Sequence, residues 1–73
     1  MKLQYYADTD SLYIDLVERP SVTSREVTPG VVLDFDDAGA LVGIDIDHAS
    51  QHLDLSRLEA GSVPFETVTV RNR

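Results

Sequence analysis

The chain has no cysteine, no tryptophan, one methionine, and only six basic residues against thirteen acidic ones in 73 positions. Without cysteine, disulfides, thiolate nucleophiles and cysteine-ligated zinc or iron–sulfur sites are excluded. A formal charge of −7 repels phosphate backbones and anionic headgroups, so no direct binding to nucleic acid or to a membrane is expected. No apolar run approaches the ~20 residues of a membrane-spanning helix. Met1–Ala7 also lacks the apolar stretch of a secretory signal. The expected location is therefore the cytoplasm. A hydrophobic content of 42% is enough for a packed core and argues against disorder.

Length sets the next bound. Residues 1–73 are expected to form a single small β-rich domain. A domain of this size buries only about 60% of the surface its extended chain exposes. Its core is thus marginal, and with no disulfide to help, a homodimer is the natural remedy.

What is present is a series of short β-favouring runs separated by turn residues. Leu3-Gln4-Tyr5-Tyr6-Ala7 and Leu12-Tyr13-Ile14-Asp15-Leu16-Val17 flank Asp8-Thr9-Asp10-Ser11, whose side chains bond local backbone and favour a turn. The pair reads as a β-hairpin. Pro20 interrupts the chain, and the polar Val22–Thr28 run suits the edge of a sheet. After Pro29-Gly30, the runs Val31–Asp36 and Leu41–Asp47 flank Asp37-Ala38-Gly39, a three-residue hairpin loop with Gly39 in the left-handed conformation. That register pairs Phe35 with Leu41. It keeps Ile44 and Ile46 on the apolar face only if a bulge at Gly43 shifts the alternation.

Beyond Asp47 the pattern changes to helical turns near residues 48–58. Asp47 is the expected N-cap for His48–Leu53, and Ser56–Glu59 suits a second turn. Phe65–Val70 reads as a last strand, paired with a sheet edge of its own chain or of a partner chain, and Arg71-Asn72-Arg73 is expected to fray. The fold class is α+β and mostly antiparallel, a sheet of hairpins and meanders.

Three stretches carry a resemblance. They are Tyr6-x-Asp8-x-Asp10-Ser11-Leu12-Tyr13-Ile14, Gly30-Val31-Val32-Leu33-Asp34-Phe35-Asp36-x-x-Gly39, and Val42-Gly43-Ile44-Asp45-Ile46-x-x-Ala49-Ser50. Together they resemble a small bacterial family catalogued as a domain of unknown function, number twenty-two eighty-three, over about residues 1–58. The resemblance implies a small β-rich domain and supplies no catalytic residues, because its motifs are turn aspartates, turn glycines and alternating aliphatics.

The candidate chemistry is sparse. Asp34, Asp36, Asp45 and Asp47 lie on the two strongest strands, and carboxylates sharing one face would suit a hard cation. The plain alternative is the polar outer side of a one-sided sheet. His48 and His52 stand four apart and, with Asp45 or Asp47, are weak candidates for a metal site. The residue after His48 is Ala49 rather than the glutamate base of a zinc protease. Ser11, Ser50 and Ser56 sit in no nucleophile elbow, and no phosphate-binding glycine loop occurs. Tyr5, Tyr6 and Tyr13 either form an aromatic contact surface or close the edge of the core.

No catalytic residue and no cofactor is assigned. The favoured reading is an acidic, non-enzymatic protein-interaction module with a basic protein as partner. The alternatives are a small metal-dependent hydrolase using His48, His52 and the aspartates, or a small-ligand binder.

Overall fold

The computed structural model describes residues 1–57 and 70–72. Six strands and one helix follow in the order β1 (Lys2–Tyr6), β2 (Ser11–Asp15), β3 (Thr23–Thr28), β4 (Val31–Phe35), β5 (Leu41–Ile46), α1 (Ala49–His52) and β6 (Val70–Asn72). They form a single sheet with strand order β3-β4-β5-β2-β1-β6. All pairings are antiparallel except β6, which runs parallel to β1. Among the described residues no helix is long and apolar enough to cross a membrane.

Period-two alternation gives the sheet two unlike faces. Cross-strand registers place Leu3 opposite Ile14, Tyr5 opposite Leu12, Ile14 opposite Ile44, Leu12 opposite Ile46 and Leu33 opposite Ile44. This is the apolar face. Leu12, Ile46 and Ala49 are buried there, with Leu3, Tyr5, Ile14 and Ile44 packed against them. The opposite face carries Gln4, Tyr6, Ser11, Tyr13, Asp34, Asp45 and Asp47.

The sequence conflict at Gly43 is resolved by a register shift. Asp34 faces Gly43 but Phe35 faces Leu41, which leaves Val42 as an extra residue in β5. Val42 is 2% exposed, and its carbonyl accepts hydrogen bonds from the backbone N–H groups of Leu16 and Val17. The bulge thus ties the end of β2 to the β4–β5 hairpin while Ile44 and Ile46 keep the core side. At the hairpin tip Gly39 has φ +83°. Asp36 Oδ1 accepts from the N–H groups of Ala38 and Ala40, and Arg19 pairs with its other oxygen at 3.2 Å.

Two details differ from the sequence reading. Helix α1 covers only Ala49–His52, and its N-cap is His48 in the left-handed conformation, with no side-chain cap bond. Asp47 does not cap it, because the Asp47 carboxylate accepts from Ser11 Oγ instead. The donor that Asp47 was expected to satisfy goes to Asp10. Residues Asp54–Arg57 close a turn in which Asp54 Oδ1 accepts from the Ser56 N–H. At the other terminus, Arg71 and Asn72 do not fray: they pair with Gln4 and Tyr5. The expected strand over 65–69 and the helical turn at 58–59 lie outside the described residues.

Candidate functional site

The polar face holds a cleft of about 410 Å³ lined by Tyr6, Thr9, Ser11, Tyr13, Glu26, Gly30, Val32, Asp45 and Asp47. Strand pairing explains why these residues meet. Asp45 on β5 stands directly opposite Tyr13 on β2 and Val32 on β4, so its carboxylate rises from the floor between an aromatic and an aliphatic neighbour. Tyr6 extends the wall on β1, and Glu26, opposite Val32 on β3, closes the far side.

Tyr13 is placed by a glycine. Its hydroxyl donates to Asp34 Oδ2 at 2.9 Å, although β5 lies between β2 and β4. The ring crosses β5 at Gly43, where an added Cβ would sit 2.0 Å from the Tyr13 hydroxyl oxygen. Only a residue without a side chain leaves room for that crossing. Asp34 is held from its other side by Ser24, whose hydroxyl donates to Oδ1 at 2.7 Å. Burial, followed by the accepting Asp34 carboxylate, pushes the Tyr13 phenol up to about 12.

Carboxylates dominate the electrostatics. Asp45 has its pKa raised, first by partial desolvation and then by the charges of Asp47 and Asp34. Arg19 is drawn instead to Asp36 at the hairpin tip. The cleft therefore concentrates negative charge beside two tyrosines, an arrangement that favours a cationic group over an anion or a neutral ligand.

Of the four aspartates singled out in the sequence, Asp34, Asp45 and Asp47 share this face. Asp36 is 7% exposed and committed to its turn, where backbone N–H groups and Arg19 lower its pKa. His52 brings its Nε2 within 3.8 Å of the position a Gly30 Cβ would occupy, near Asp47. His48 faces elsewhere in charge terms, acting on Asp10. Among the described residues, no three His, Asp or Glu side chains gather in a group able to hold a metal ion.

The tyrosines divide between the faces. Tyr5 packs on the core and donates to Asp10, whereas Tyr6 and Tyr13 line the cleft. Thr9, Ser11 and Glu26 were not singled out from the sequence as site residues. The signal was available in their register: each falls on or beside the polar side of its strand.

The sequence profile of the family described as "Protein of unknown function (DUF2283)" matches residues 2–50. The chain belongs to that family. The match runs from the first residue of β1 to Ser50, and it includes the bulged hairpin, Tyr13, Asp34, Gly43 and the Asp10–Ser50 contact. No curated protein and no solved structure matches the chain. The DUF2283 match covers β1 to β5, and β6 lies outside it.

Proposed function

We propose that this DUF2283 domain is a non-enzymatic protein-interaction module of the cytoplasm whose acidic cleft receives a basic side chain of a protein partner. The observation that carries the reading is Asp45. Its carboxylate stands on the cleft floor with a raised pKa, first because it is partly desolvated there and then because Asp47 and Asp34 crowd it with like charge. A group held in that state is unfavourable in the free protein, and a bound cation relieves it. An arginine or lysine side chain fits the chemistry, with its stem against Tyr13 and Val32 and its head among the carboxylates. The overall charge of −7 adds long-range steering toward a basic surface.

Self-association as a homodimer stands on the same footing, supported by a core in which only Leu12, Val42, Ile46 and Ala49 are buried hydrophobics among the described residues.

Affinity capture with the full chain as bait tests the interaction. A basic protein should be retained by the natural sequence, released by salt, and lost with a bait carrying Asp45→Asn and Asp47→Asn. Equal recovery on both baits would remove the cleft from the reading.

A further inference from the structure

No further inference is drawn: the strongest candidate, the apolar face of the sheet around Leu3, Tyr5, Ile14, Leu33 and Ile44, is met by only the short helix α1 among the described residues, and nothing in the structure shows what covers it.

Discussion

Asp10 and Ser50, forty positions apart in the chain, are joined by three hydrogen-bond contacts. The Ser50 hydroxyl donates to Asp10 Oδ2 at 2.6 Å, and the Ser50 N–H reaches both carboxylate oxygens at 3.1 and 3.3 Å. Tyr5 donates to the same carboxylate at 2.7 Å, and the Asp10 carbonyl accepts from the Ala49 N–H. One turn residue of the first hairpin therefore caps α1 from outside. Both Asp10 and His48, the residue before α1, have positive φ, at 53° and 51°. For residues with a Cβ that conformation is unfavourable, and the shared hydrogen bonds offset it.

Asp10→Ala should lower thermal stability, and Ser50→Ala should add little in that background because the Ser50 hydroxyl has already lost its acceptor there. The hydrogen bonds from Ser50 and then Tyr5 hold the Asp10 carboxyl below its ordinary value. A depressed carboxylate contributes stability above the unfolded-state pKa and loses it as pH falls through the folded one. The difference in melting temperature between natural chain and Asp10→Ala should therefore be full near neutral pH and shrink in strong acid. A difference that is flat with pH would show that the carboxylate charge is not what matters.

The contrast between Asp10 and Asp47 shows how far the sequence could be read. The positions of β1 to β5, the edge placement of β3, the Gly39 turn and the need for a bulge near Gly43 all follow from alternation and turn chemistry, which act over a few residues. The pairing of Arg71 and Asn72 with β1 does not. Neither does the capping of α1. Asp47 precedes the helix and has the right side chain, yet Asp10 takes the role because the hairpin turn brings it there. The cleft was legible in part: Asp34 and Asp45 stand on the two strands of one hairpin with Asp47 just past its end, and they share a face once the bulge shifts the alternation. Glu26 joins them only through the β3–β4 register, and Tyr13 only because β2 pairs with β5 across a long connection.

Gly43 is a glycine for the sake of Tyr13, since its φ is not positive, unlike that of Gly30 and Gly39. Gly43→Ala should cost ~1–3 kcal/mol, as the ring swings off β5 and loses its bond to Asp34. In a Tyr13→Ala background the same change should cost far less, because the obstruction is gone. Chemical denaturation of the four proteins measures the coupling. Equal costs in both backgrounds would place the requirement for glycine in the bulge backbone instead.

Tyr13 also predicts behaviour in alkali. Its phenol is pushed up to about 12, so the folded state keeps it protonated after the unfolded chain has ionised near 10. That contribution is fully present below pH 10 and is lost as pH rises toward 12. Ultraviolet titration should show a late step that Tyr13→Phe removes, while the smaller upward displacement of Tyr5, caused first by its bond to Asp10, stays in the variant. An alkaline end of the titration curve unchanged by Tyr13→Phe would contradict the Tyr13–Asp34 geometry.

Asp45 should behave in the opposite sense to Asp10. Its pKa is raised, so its ionisation opposes folding at neutral pH. Asp45→Asn should raise the unfolding midpoint of the free domain, most clearly at low salt, where repulsion from Asp34 and Asp47 is least screened. A lowered midpoint would show that the Asp45 carboxylate is satisfied in the free protein and is not waiting for a cation.

The most direct test of the cleft as a basic-group receptor is calorimetric titration of the full chain with a short arginine- and lysine-rich peptide at low salt. The natural chain, Asp45→Asn and Asp37→Asn should be compared. The last two lose the same charge, but Asp37 lies in the β4–β5 turn, outside the cleft. Asp45→Asn should weaken binding about tenfold, a change of ~1.4 kcal/mol, while Asp37→Asn leaves affinity within about twofold. Equal weakening by both, or no binding by the natural chain, would contradict the account.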